Sequence, residues 1–151
     1  HGGIDLTVFY LWDFGIQARY DPQFEQAIQW DIPLLDGYRS VFVPNRSRYP
    51  GTDRFDGLDN PELVARLAAA RPDAILLFGY AYRSHLRVLM SPRLARTPLL
   101  LRGDSHDLAR APGWKARARR LLRRVLFRRF SALLAVGSAN TEYFRNCGVP
   151  E

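Results

Sequence analysis

The sequence predicts an α/β fold, a Rossmann-like three-layer sandwich with a mostly parallel sheet. Three observations carry that expectation. Short aliphatic or aromatic runs alternate along the chain with stretches of helical periodicity. Runs such as "DAILLFG" (73–79) and "TPLLLRG" (97–103) are apolar throughout, as in strands covered on both faces. Each run stops abruptly in turn residues and polar side chains, the ledge where parallel sheets collect ligands. Crossovers between such strands are right-handed.

"IDLTVFYLW" (4–12) is β-branched and aromatic and predicts the first strand. "DFGIQARYDP" reads as a loop. "PQFEQAIQW" (22–30) reads as a short helix with Asp21 as N-cap and Pro22 in its first turn. Trp30 and Asp31 follow as structural residues, Trp30 pinning the loop. "SVFV" (40–43) is the next strand, and residues 45–60 form a long loop rich in Arg, Asp, Gly and Pro. Asn60 is placed to cap a helix that begins at Pro61 and stops at Pro72. Residues 73–79 form a strand. Residues 84–95 read as a helix capped by Ser84, with Leu86, Leu89, Met90 and Leu94 inward and His85 on its surface. Strand 97–103, a basic helix over 114–130, strand 132–137 and a helix from Ser138 or Asn140 to Asn146 complete the chain, with Gly148 as C-cap.

The length of 151 residues is that of one domain, with enough core to fold without disulfides or metal. Cys147 is the lone cysteine; it reads as a small buried hydrophobe and suits a reducing compartment. No apolar stretch is long enough to span a membrane, and no signal peptide is evident. The expected location is cytoplasmic, or peripheral on the inner membrane face. Residues 114–130 carry eight Lys or Arg and no acid, which outweighs the formal net charge of +7. The rest of the chain is therefore near-neutral, which argues against a nucleic acid surface spread over the fold.

The strand ends supply the candidate binding groups. In "LLLRGDSHD" (99–107), Arg102 can meet a diphosphate or carboxylate, or be a solvated arginine. Gly103 lets backbone approach a ligand or serves a turn. Asp13, Phe14 and Gly15 after the first strand either line the same cleft or make a plain turn. Tyr80 and Tyr82 either stack on the flat face of a ligand ring or pack at the rim. Gly137, Ser138 and Asn140 open a helix whose free amides suit an anion or ordinary capping. No His, Cys or Asp cluster has metal-ligand spacing, no Asp-x-Asp motif occurs, and G-x-G-x-x-G is missing. No cofactor is expected.

"YDPQFEQAIQWDIPLLDGY" (20–38), "LLLRGDSHDLAR" (99–110) and "LLAVGSANTEYFRNCGVPE" (133–151) together resemble the amino-terminal half of bacterial GT-B glycosyltransferases, in the retaining group called family four. The resemblance implies one acceptor-binding, Rossmann-like domain over 1–151, facing a donor domain beyond it. Its partners would be a nucleotide-sugar donor, held by that other domain, and a glycan or lipid-linked acceptor. It implies acceptor-contacting and near-catalytic roles for Asp104 and His106, with Ser105 beside them; otherwise Asp104 or Ser105 opens a turn or caps a short helix. It also implies that the family's first strand precedes residue 4 and that the fragment alone is inactive. Strands 4–12 and 73–79 would then each lack a neighbour, and would pair with each other or with another chain.

In the basic helix, Trp114, Ala118, Leu121, Leu122, Val125, Leu126 and Phe130 form a broad apolar face expected to pack on the sheet. Lys115, Arg119, Arg120, Arg123 and Arg124 either make a solvated surface or dock on an anionic membrane. At about 1 kcal/mol per charge, half of the cations would contribute on the order of 4 kcal/mol. No stacking aromatic lies on the polar side, so nucleic acid is not an expected partner. The alternative function is a non-catalytic α/β module that uses this helix on membranes or polyanions.

Overall fold

The computed structural model of the chain describes residues 3–13, 19–21, 26–28, 35–103 and 114–147; for 19–21, 26–28 and 114–120 it gives the backbone. Their elements are mixed α/β, with parallel sheets of two and three strands and four α-helices, a Rossmann-like arrangement. The chain divides into two compact units, His1–Leu63 with Tyr82–Ser84, and Val64–Ala81 with His85–Glu151.

In the first unit, β1 (Thr7–Tyr10) runs parallel to β4 (Arg39–Phe42) in the register Thr7↔Arg39 to Tyr10↔Phe42. Bonds from Arg39 N to Leu6 O (3.1 Å) and from Val43 N to Tyr10 O (2.9 Å) extend the ladder at both ends. Of the expected helix over 22–30 the described residues are Gln26–Ile28, and they are not helical. Instead β2 (Arg19–Asp21) pairs antiparallel with β3 (Gln26–Ile28), in the register Arg19↔Ile28 to Asp21↔Gln26. An N-cap and an early proline are local signals, and a helix of so few residues is marginal. Cross-strand pairing outweighs them here, and it also turns Arg19–Asp21 from loop to strand.

The loop 45–60 is organised by Asn45. Its Nδ2 donates to Gly57 O (2.8 Å), and its Oδ1 accepts from Ser47 N (2.9 Å) and Asp59 N (3.0 Å). Gly57 sits so close to Gly51 that an added Cβ would lie 2.2 Å from the Gly51 carbonyl oxygen. Arg83 Nη1 donates to Asp59 Oδ2 at 2.9 Å, and Arg83 N to Phe55 O at 2.9 Å. A long loop thus acquires a fixed course through part-buried hydrogen bonds, with Leu58 buried among them.

Asn60 differs from its expected role. The helix α1 (Leu63–Ala70) starts later than Pro61, and Leu63 N donates to the Asn60 backbone oxygen (3.1 Å). The Asn60 side chain is fully buried and bonds to the ends of both parallel strands instead. Arg71 closes α1 at φ 48°, in the left-handed region, just before Pro72.

In the second unit, β5 (Ile75–Phe78), β6 (Leu99–Gly103) and β7 (Ala132–Ala135) pair in parallel in chain order, with Leu77 opposite Leu101 and Leu101 opposite Leu133. Ile75, Leu77, Leu99 and Leu101 are buried, and with Leu67, Val88, Leu89, Leu94, Phe127, Tyr143, Phe144 and Cys147 they make the core. The alternate side chains Leu76, Phe78 and Leu134 are exposed. The run 73–79 is therefore covered on one face, not both; an all-apolar sequence cannot tell these apart. Among the described residues β1 is paired with β4 and β5 with β6, so of the two expected outcomes, pairing of strand 4–12 with 73–79 or with another chain, the first is not found there.

The predicted helix 84–95 is shorter. α2 (Arg83–Leu89) ends before a 3-10 turn at Pro92–Leu94. Pro92 holds Ser91 extended (φ −75°, ψ 120°), which breaks the helix, and Met90 turns out to solvent. Ser84 lies inside α2 rather than capping it, and His85 is buried rather than on the surface. The basic helix α3 (Trp114–Phe127) and α4 (Ser138–Asn146) fall where expected. None of the helices among the described residues is long and apolar enough to cross a membrane.

Candidate functional site

The carboxyl ends of β1 and β4 open on a cavity of about 360 Å³. Tyr10, Leu11, Trp12 and Asp13 line it from one strand exit, Phe42, Val43, Pro44 and Asn45 from the other, and Pro50 from the loop. The parallel register brings the two exits side by side. Tyr10 and Phe42 are register partners, and their rings stack at 5.0 Å with an interplanar angle of 15°. The Tyr10 hydroxyl makes a very short hydrogen bond with that of Tyr38. That bond first, and burial second, push the Tyr10 phenol up to about 12. Tyr10 is therefore neutral, and its ring is held at both ends.

Asn60 ties together the two strand exits that line this cavity. Its Nδ2 donates to Leu11 O (3.0 Å) and Val43 O (2.8 Å), one carbonyl from each strand exit. Ser84 Oγ accepts from Asn60 N at 2.7 Å, and lies 2.9 Å from both Leu58 O and Asn60 Oδ1. The Asn45 amide is committed to the loop; the rest of the lining includes an aromatic wall, the Trp12 indole and the Asp13 carboxylate. Flat aromatic faces receive the C–H faces of a hydroxylated ring, while a carboxylate accepts from its hydroxyls. The volume lies near the lower end of the roughly 300–1,000 Å³ of small-molecule sites.

The three-stranded sheet has its own ledge. Gly79 follows β5 at φ 85°, a conformation glycine adopts without strain, and its N–H donates to Arg102 O at 2.9 Å. The exposed Arg102 guanidinium lies over the Phe78 ring at 5.5 Å. Tyr80 packs edge-on to Phe127 at 5.3 Å, and its hydroxyl bonds that of Tyr143 at 2.6 Å. Burial and this bond hold the Tyr143 phenol far above its usual range. Gly103 ends β6, and a Cβ there would meet Phe144 Cζ at 4.0 Å. Gly137 and Ser138 are exposed at the start of α4, where Asn140 Oδ1 accepts from Val136 N (3.2 Å). Tyr82, in the first unit, donates its hydroxyl to Thr52 O at 2.9 Å.

Tyr80, Arg102, Gly103, Gly137 and Ser138 thus share one sheet edge, and Asp13 lies at the edge of the other sheet. Phe14, Gly15, Asp104, Ser105 and His106 lie outside the described residues. Of the docking cations, Lys115, Arg119 and Arg120 lie on α3; Arg124 is exposed, and Arg123 lies over the Tyr143 ring at 5.4 Å. Of the residues lining this cavity, the sequence singled out Asp13 as a candidate but not Tyr10, Trp12, Phe42, Asn45 or Pro50. Their signal was present in the strand exits "YLWD" and "FVPN", but only the register shows that these exits adjoin. Among the described residues, no group of His, Cys, Asp and Glu could hold a metal ion.

A family model described as glycosyl transferase 4-like domain matches residues 3–151. No curated protein and no solved structure matches the chain.

Proposed function

Because the chain belongs to the glycosyl transferase 4-like family, we propose that it is the acceptor-side half of an enzyme that moves a sugar from a nucleotide-sugar donor to a glycan or lipid-linked acceptor. The cavity between the β1 and β4 exits carries this reading. A stacked Tyr10–Phe42 wall with Trp12 and Asp13 suits one or two sugar rings. Asp13 orients an acceptor hydroxyl, and the aromatic wall holds the ring face.

In this proposal Arg102, Gly103, Gly137 and Ser138 serve the opposed charge of the donor diphosphate. The family resemblance gives Asp104 and His106 acceptor-contacting and near-catalytic roles, with Ser105 beside them in sequence. Fixed dipoles and cations there stabilise the departing diphosphate and the oxocarbenium-like sugar. The donor would be held mainly by a further domain, so the 151 residues alone bind acceptor and transfer nothing.

The test is saturation-transfer NMR of the 151-residue chain against a panel of mono- and disaccharides, with Trp12→Ala and Asp13→Asn as variants. Binding that weakens at least about tenfold in either variant supports the reading, since a stacked ring or a charged hydrogen bond contributes roughly that much. Saccharides that bind all three proteins equally, or none of them, overturn it.

A further inference from the structure

The helix α3 presents its apolar stripe outward. The sequence pattern predicts the reverse, with the leucines on the sheet. The aromatic packing explains the difference. Phe127 is buried, edge-on to Tyr80 at 5.3 Å and to Phe144 at 5.7 Å, and Arg123, one turn earlier, lies over the Tyr143 ring at 5.4 Å. With Arg123 and Phe127 turned inward, the opposite side carries Leu121, Leu122 and Val125, which are 64%, 61% and 58% exposed. Arg124 and Arg128 are exposed along the next ridge. Arg129 does not join it: its guanidinium is bonded to the carbonyls of Leu94 and Thr97.

We infer that this face of α3 docks on an anionic lipid surface, with Leu121, Leu122 and Val125 at the acyl boundary and Arg124 and Arg128 at the headgroups. Three large apolar side chains on a solvent face cost free energy unless something covers them. The charge pattern selects what covers them. Residues 114–130 hold eight cations and no acid. A second copy of α3 laid on the first would bring two cationic ridges together. A nucleic acid would pair with the arginines and leave the leucines wet. An anionic membrane satisfies both ridges, because apolar side chains enter the interface while arginines stay among the phosphates. The inference does not depend on the sugar cavity, which belongs to other residues.

The experiment is vesicle flotation of the protein with mixed phosphatidylglycerol–phosphatidylcholine and with pure phosphatidylcholine. Variants are Leu121→Ser/Val125→Ser and Arg124→Ala/Arg128→Ala; all four positions are exposed, so an unchanged melting temperature shows that each variant folds. The expected result is binding to the mixed vesicles alone, weakened roughly tenfold or more by either double substitution. Equal binding to both lipids, or none, overturns the inference. So does adsorption that ignores the serine variant, which is charge attraction without an interfacial seat. A dimer in solution that the serine variant dissolves, with no vesicle binding, would assign the face to a second copy instead.

Discussion

The side-chain amide of Asn60 donates to the carbonyl of Val43 at 2.8 Å and, with its other proton, to that of Leu11 at 3.0 Å. One buried residue thus holds together the two strand exits that frame the candidate cavity. Asn60→Ala leaves both acceptors without this donor. The expected loss is about 2–4 kcal/mol, read from the denaturant midpoint, because an unsatisfied buried carbonyl costs more than a hydrogen bond contributes. Ser84→Ala, which removes only the hydroxyl beneath Asn60, should cost less.

The Tyr10 phenol is raised from 10.0 to about 12 by its bond to Tyr38. Above the usual tyrosine range the unfolded chain ionises and the folded chain does not, so stability falls between about pH 10 and 12. Tyr38→Phe removes the leading cause of the shift. It should flatten this fall, measured as melting temperature against pH.

His85 is buried, and burial lowers its pKa from 6.5 to about 4. Above pH 6.5 the group is neutral in both states and contributes no pH dependence. As the pH falls from 6.5 to 4 the unfolded chain takes up the proton first, so stability drops. The drop is on the order of 3 kcal/mol across that window. His85→Gln should reduce it, whatever its effect at neutral pH. An unchanged pH slope in the variant would place the acid sensitivity elsewhere.

Two backbone positions have opposite expected signs. Gly57→Ala drives a Cβ to within 2.2 Å of the Gly51 carbonyl oxygen and must open the loop that supplies Pro50 to the cavity. It should destabilise by about 2 kcal/mol or more and weaken any saccharide binding. Arg71 holds φ 48° after α1, where glycine is unstrained. Arg71→Gly should gain about 0.5–1 kcal/mol, since the left-handed penalty of carrying a Cβ is lifted. Both are read by denaturant unfolding.

The Tyr80–Tyr143 hydroxyl pair at 2.6 Å is a packing device of the second unit. Tyr143→Phe should cost about 1 kcal/mol in stability. A comparable Tyr80→Phe effect, with no additional effect in the double variant, would show that the two hydroxyls act as one bond.

Most strands and helices were legible because their signals are local. "TVFY", "ILLF" and "LLLRG" have few conformations that hide so much apolar surface, and α3 and α4 carry their period over several turns. The Asp13 position was legible too, as a polar residue at a strand exit. The hairpin of β2 and β3 was not: Gln26–Ile28 becomes a strand through its partner Arg19–Asp21, and a partner is not a local property. Asn60 looked like a cap because caps are what asparagines before proline usually make; its actual acceptors, Leu11 O and Val43 O, lie far away in the chain. His85 and the outward leucines of α3 were misjudged for one shared reason. Periodicity says which side chains share a face, but only the neighbours decide which face is turned inward. The amino acids alone thus determined the class of fold, the cationic helix and the family resemblance, since each is written in the order of residues. Tertiary structure decided the aromatic cavity and the outward turn of the α3 leucines, because both arise where segments remote in sequence meet or fail to meet.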